Sequence, residues 1–128
     1  MKELIYVFIG GGTGSVLRFL ISMLWSHLSL HPRYASIVFP WPTLIVNVLG
    51  CFLIGVLYQY AERWGWPIDV RLMLTVGLCG GFTTFSTFTY EGVALLNEGY
   101  YAMYMLYLVL SIVLGLLAVV IPMMFLAK

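Results

Sequence analysis

The residues best suited to chemistry in this chain are neutral, and most of them crowd into one stretch. Gly80-Gly81-Phe82-Thr83-Thr84-Phe85-Ser86-Thr87-Phe88 places paired glycines ahead of hydroxyl residues interleaved with phenylalanines. Glycine and threonine are weak helix formers, so a helix is expected to break here and release backbone amides and carbonyls. Hydroxyls donate hydrogen bonds to an anion, and the edge of a phenyl ring is its positive side. Phe85 and Phe88 stand three residues apart and share a helical face. A phenylalanine pair at that spacing is usually plain core. The interleaving with Thr84, Ser86 and Thr87 gives it a second reading, as a contact for an anion.

Other polar residues lie inside long apolar runs. Asn47 has Thr43 one turn ahead of it on the same face, and Tyr107 has Ser111 one turn behind it. Asn47 reads either as an interhelical hydrogen bond worth about 1 kcal/mol or as a pore donor that replaces water around an anion. Arg18 reads either as a charge lining an aqueous vestibule or as an anchor that snorkels to the headgroups, since both relieve the cost of a buried charge. Glu91 can snorkel, pair with Arg18, or carry protons. Cys51 and Cys79 read as small core residues. His27 and His31 stand four apart beside Pro32, and two ligands do not make a zinc site. No catalytic triad, metal-ligand cluster or phosphate loop is present in the sequence.

The elements that must position these residues follow from composition. Of 128 residues, 62% are apolar and 9% charged, with net charge +1 and mean hydropathy +1.02. Soluble domains carry about 25% charged residues, so this chain cannot coat a globule in charge. The weak net charge argues against nucleic acid as a partner. One transmembrane domain over 1–128 is expected, since a crossing helix needs about 20 apolar residues. The expected spans cover about 4–25, 43–61, 72–96 and 101–126. Strands of a membrane barrel would be shorter and alternate apolar with polar, which these runs do not. The first span lacks a clear cleavage site and is expected to remain in the mature protein. Trp25, Trp41, Trp64 and Trp66 fall near span ends, where indoles favour the interface. The connection from His27 to Pro42 is the longest and has room for a short interfacial piece, whereas that near Asn97 to Gly99 is tight. An even number of spans puts both termini on one side, and Lys2, Arg63, Arg71 and Lys128 fall there against Arg33 opposite. That bias weakly favours cytoplasmic termini.

The run from Gly80 to Phe88 closely resembles the signature of the Fluc (CrcB) fluoride-channel family. Gly10-Gly11-x-x-Gly14-Ser15-x-x-Arg18-Phe19 resembles the family's first-helix motif, and Asn47-x-x-Gly50-x-Phe52-x-x-Gly55 its second. Arg71-Leu72 ahead of the third span also fits. The resemblance covers nearly the whole chain. It implies an all-α integral membrane protein with four transmembrane helices per subunit and a broken third helix, assembled as an antiparallel, dual-topology homodimer with two fluoride pores. The family's phenylalanine pair maps onto Phe85 and Phe88, its pore asparagine onto Asn47, and its fourth-helix polar pair onto Tyr107 and Ser111. Thr43, Ser86 and Thr87 join the expected pore, with Arg18 at its vestibule. A structural sodium ion is implied at the dimer interface, held by the backbone carbonyls of Gly80 and Thr83, and oxygen ligands suit such a hard cation. Two features depart from the family pattern: the long first connection, and Phe82 at a position often aliphatic.

The implied function is passive fluoride export across the inner (plasma) membrane, conferring fluoride resistance. The expected partners are fluoride, sodium, the lipid bilayer and a second copy of the chain. Fluoride enters as neutral HF, ionises in a more neutral cytoplasm and is trapped. A negative-inside potential then drives it out, at about 2.3 kcal/mol per charge per 100 mV. An enzyme reading has no residue support. The alternative is a small multidrug-resistance-type proton-coupled exporter, which needs a membrane-embedded carboxylate in its first span. Glu3 lies at the terminus and Glu91 late in the third span. A non-conducting subunit of a larger complex would explain the Gly10/Gly14 packing motif but not the polar and aromatic stripe.

Overall fold

A computed structural model describes residues 1–28 and 39–126. His31, Pro32 and Arg33, most of the long connection, and Lys128 lie outside the described residues. Four helices are long and apolar enough to cross a membrane, as expected of a multi-pass membrane protein, and no strand occurs among the described residues. Helix α1 spans Lys2–Leu28 and α2 spans Trp41–Trp64. The third crossing is built from pieces: α3 (Ile68–Leu72), a π-helical segment (Met73–Cys79), α4 (Gly80–Phe82) and, beyond a break, α5 (Phe85–Asn97). Helix α6 spans Tyr101–Leu126.

Helices outrun the charge-free stretches because charged residues at the interface continue them: Lys2 and Glu3 open α1, and Glu62 and Arg63 close α2. Pro40 and Pro42 frame the start of α2, where a missing amide costs little. Its end is a glycine stop: Gly65 takes φ 58°, and the Trp66 amide donates back to the Ala61 carbonyl at 3.1 Å. Gly99, at φ 83°, ends α5 the same way, with Tyr100 and Gly99 amides returning to the Leu95 and Leu96 carbonyls. The left-handed conformation favours glycine at both positions, and it makes the tight turn into α6.

Lipid is as apolar as leucine, so these helices associate through close backbone approach. Gly10 and Gly14 of α1 do this against the third crossing. A Cβ on Gly10 would strike the Met73 carbonyl, and one on Gly14 the Leu78 carbonyl. Gly77 and Gly81 return the contact toward Val7 and Gly11. On the other side α2 lies along α6, where Gly55 meets the Val119 backbone and the buried Pro122. Phe82 is 6% exposed and packs beside Gly50, whose missing side chain leaves room for the ring. Arg71 stacks over the Tyr58 ring at 5.1 Å and ties α3 to α2. Large apolar side chains such as Phe8, Phe19, Leu116 and Phe125 face outward, as suits a lipid or partner-facing surface.

Candidate functional site

The third crossing breaks at Thr83 and Thr84, which adopt extended backbone with ψ 158° and 117°. The cause is local and tertiary together. Two glycines and two threonines weaken the helix, and Asn47 of α2 supplies an alternative partner for the backbone. Its Oδ1 accepts from the Thr84 amide at 2.8 Å, and its Nδ2 donates to the Thr84 carbonyl at 3.1 Å. The interhelical reading of Asn47 is therefore what the geometry displays. A second Nδ2 hydrogen is left over.

Thr84 then caps α5. Its hydroxyl accepts from the Thr87 amide at 3.2 Å and lies 3.0 Å from the Thr87 hydroxyl and 3.2 Å from that of Ser86. An N-terminal cap of this kind is worth about 1 kcal/mol. The break thus gathers Thr84, Ser86 and Thr87 into one hydroxyl cluster.

A cavity of about 280 Å³ opens beside the cluster, lined by Ser15, Arg18, Ser22, Thr43, Thr84 and Thr87 among others. Arg18 forms no ion pair among the described residues. It does not meet Glu91, whose carboxylate is held elsewhere: the Thr43 hydroxyl donates to Oε1 and the Tyr107 hydroxyl to Oε2, each at 2.8 Å. This knot joins α2, α5 and α6 one turn from Asn47. Tyr107 is fully buried. Its ring packs on Phe88 at 5.0 Å, and Phe88 on Phe85 at 5.8 Å. Phe85 is 77% exposed, so its edge is available outside the single chain. One turn along α6, the Ser111 hydroxyl is buried without a hydrogen-bond partner. A stranded buried hydroxyl carries a desolvation cost, which a ligand could relieve.

The break also prepares a second surface. A continuous helix would aim the Thr84 amide at the Gly80 carbonyl and the Thr87 amide at the Thr83 carbonyl. Asn47 and the Thr84 hydroxyl take those amides instead. Gly80 and Thr83 both line a separate cavity of about 360 Å³ with Gly50, Cys51, Thr75 and Cys79. Carbonyls deprived of their helical partners beside a cavity are a donor set that fits a hard cation such as sodium. Among the described residues no cluster of three or more His, Cys, Asp or Glu side chains could hold a metal, so a cation here would rest on backbone oxygens.

Asn47, Thr43, Thr87, Phe88 and Tyr107 therefore come together, with Ser86 beside them and Phe85 at the rim. Ser111 stands one turn off and Arg18 across the cavity. Sequence reasoning marked the Thr84 hydroxyl as suited to an anion but missed its role as the cap of α5, and left Glu91 without an assignment. The threonine cap could have been suspected from its place three residues before Thr87. The partners of Glu91 depend on which faces of three helices meet, and no spacing encodes that.

Comparison with known proteins places this arrangement. The family described as "CrcB-like protein, Camphor Resistance (CrcB)" matches residues 5–123. A protein of Phocaeicola vulgatus named fluoride-specific ion channel FluC is 51% identical over 119 residues, 93% of each chain. One of the same name from Bacteroides fragilis is 49% identical over 93% of this chain and 91% of its own. A third, from Flavobacterium psychrophilum, is 39% identical over 92% and 91%. With its glycine-paired first helix, its asparagine-held break and this match over nearly its full length, the chain belongs to the CrcB family.

Proposed function

We propose that the chain is a fluoride-selective channel that lets cytoplasmic fluoride leave passively across the plasma membrane. The observation that carries this reading is the break itself, where hydroxyl donors, aromatic rings and a cationic cavity meet at one level of the bundle. The names of the relatives support it. The rival exporter reading loses its requirement: the first-span carboxylate is Glu3, which is exposed and paired with the terminal amine at 3.0 Å. No such carboxylate lies deeper in α1.

Fluoride is small and strongly hydrated, so a pathway must replace its water with donors. Arg18 in the 280 Å³ cavity draws anions in, with Ser15 and Ser22 beside it. The spare Asn47 hydrogen and the cluster hydroxyls offer the first replacements. Phe85 and Phe88 present ring edges, and Thr43, Tyr107 and Ser111 continue the donors along α2 and α6. The Thr43 and Tyr107 hydroxyls are committed to Glu91, so an arriving fluoride competes with that carboxylate for them. A larger halide would fit this file poorly.

The reading extends to the assembly. The functional unit is an antiparallel, dual-topology homodimer, which would set the exposed Phe85 of one subunit against its partner. A sodium ion held by the Gly80 and Thr83 carbonyls would offset the repulsion of converging dipoles. Its role is structural, and sodium removal should lower flux.

The test is efflux from potassium-loaded liposomes carrying purified protein, with valinomycin for charge balance and chloride as the control. Rapid fluoride release with little chloride release is expected. No release from folded dimers in sodium would reject the channel reading.

A further inference from the structure

The Tyr107 hydroxyl must land on Glu91, yet a phenol can swing through a wide arc about its own side-chain torsions. Two rings define where it stops. Phe88 packs on the Tyr107 ring, with centroids 5.0 Å apart and planes at 58°. Phe39 packs on it as well, at 5.4 Å and 78°, in an edge-to-face contact. Phe39 belongs to neither α2 nor α6. It precedes Pro40 at the entrance to α2 and is nonetheless 8% exposed, in a buried cluster with Leu44, Leu95 and Tyr107.

Its backbone is restrained as well. The Trp41 amide donates to the Phe39 carbonyl at 2.7 Å, and the Leu44 amide to the Pro40 carbonyl at 3.2 Å. The rings of Pro40 and Pro42 fix φ on either side of Trp41. The Trp41 indole then packs on the Phe39 ring at 4.6 Å. Phe85, Phe88, Tyr107, Phe39 and Trp41 thus form one unbroken run of ring contacts, from the exposed rim of the broken helix to the end of α2. Edge-to-face pairs carry an orientation preference beyond the area they bury. A wall of that kind sets an angle, which an aliphatic filler of similar volume would not.

We propose that Phe39 is a positioning residue of the anion pathway: it holds the Tyr107 ring in place so that the phenol hydroxyl stays on Glu91. This rests on the channel reading above. Among the described ring contacts, Phe39 meets the proposed path at Tyr107. Its removal frees the hydroxyl, so fluoride flux and discrimination against chloride fall together.

The test is a double-mutant cycle in liposomes with the full chain. Phe39→Leu keeps an apolar side chain in place of the ring and is the primary variant, with Phe39→Ala beside it. A three- to ten-fold loss of fluoride efflux is expected for Phe39→Leu from dimers that elute as wild type, on the order of an aromatic pair contact. The fluoride-to-chloride ratio should fall as well. Phe39→Tyr, which keeps the ring, should restore both to within about two-fold. In a Tyr107→Phe background the Phe39→Leu change should add no further loss, because the hydroxyl it positions is already gone. Multiplicative losses in the double variant, or wild-type flux and selectivity in Phe39→Leu, would overturn the proposal. Wild-type vesicles tested alongside separate the two ideas: fluoride release with independent Phe39 and Tyr107 effects sinks only the positioning role, and no release at all sinks both.

Discussion

Replacing Asn47 by leucine should close the pathway by repairing the helix that the asparagine holds open. In the native chain the Asn47 amide accepts from the Thr84 amide at 2.8 Å and donates to its carbonyl at 3.1 Å. The Thr84 carbonyl also opens α5, so it keeps an intrahelical partner when Asn47 goes. The cost falls on the Thr84 amide, which has no other acceptor while the backbone stays extended. A buried unsatisfied donor costs about 1–3 kcal/mol, whereas hydrogen bonds between membrane helices average about 0.6 and reach about 1.7. A value of about 1–1.7 kcal/mol satisfies both bounds and corresponds to a shift of roughly 5- to 17-fold toward a third crossing in which Thr84 donates to Gly80. That repaired helix would turn Phe85 and Phe88 away from Tyr107 and consume the Gly80 carbonyl. Fluoride efflux from liposomes is the assay, with elution volume and thermal unfolding in detergent as controls. Asn47→Leu should lose at least most of its flux and unfold earlier. Asn47→Asp, which retains an acceptor for the Thr84 amide, should unfold later than Asn47→Leu yet conduct poorly, because its charge repels the anion. Wild-type flux through Asn47→Leu would refute the reasoning.

Phe85→Ile and Phe88→Ile should each impair fluoride efflux while the dimer still elutes intact; normal flux in both would remove the rings from the mechanism. Tyr107→Phe should lower flux and cost about 1 kcal/mol of stability from the lost bond to Glu91, read as an earlier unfolding midpoint; an unchanged midpoint would mean the bond contributes nothing. Gly14→Ala and Gly81→Ala drive a methyl into the Leu78 and Gly11 backbones and should cost about 1–3 kcal/mol or prevent assembly, seen as lost yield or monodispersity. Gly12→Ala, where a methyl would meet nothing within 4 Å, should behave as wild type. Replacing sodium by a bulky organic cation should reduce flux, and indifference to the exchange would dismiss a structural sodium.

The spans were plain in the sequence because lipid imposes a length and an apolar character that few other environments demand. The break was legible for a similar reason: Gly80-Gly81 followed by Thr83-Thr84 is locally poor helix wherever it occurs. The Gly10/Gly14 packing could also be anticipated, since small residues at that spacing have few other uses in a membrane. What stayed hidden was pairing across helices. Asn47 could be marked as polar and deep, but its engagement with the Thr84 backbone depends on the crossing of α2 with the third helix. Glu91 has Arg18 as its obvious electrostatic partner by charge alone; the fold puts two hydroxyls there instead. The π-helical turn over Met73–Cys79 has no mark in the sequence. Phe39 was invisible because it lies in a proline-framed connection, where no periodicity separates a buried ring from an exposed one.

Most polar groups in the spans are committed to one another, and what is left over is sorted by sign. Thr43 and Tyr107 serve Glu91, Asn47 serves Thr84, and the Thr84 hydroxyl serves Thr87. The uncommitted groups include donors: the Arg18 guanidinium at its cavity, the spare Asn47 hydrogen on α2 and the Ser111 hydroxyl on α6. Gly80 and Thr83, which line the other cavity, contribute acceptors in the carbonyls the break leaves without their helical partners. A broken helix necessarily produces both, because one half ends in carbonyls and the other begins with amides. Asn47 and Thr84 decide where each set goes: by taking the Thr84 and Thr87 amides they keep the two carbonyls from closing on their own helix. The same pair of residues therefore underlies the proposed anion path on one side of the break and the proposed sodium seat on the other. A substitution that repairs the helix should abolish both together, so the sodium dependence of flux and the flux itself should disappear in the same variants.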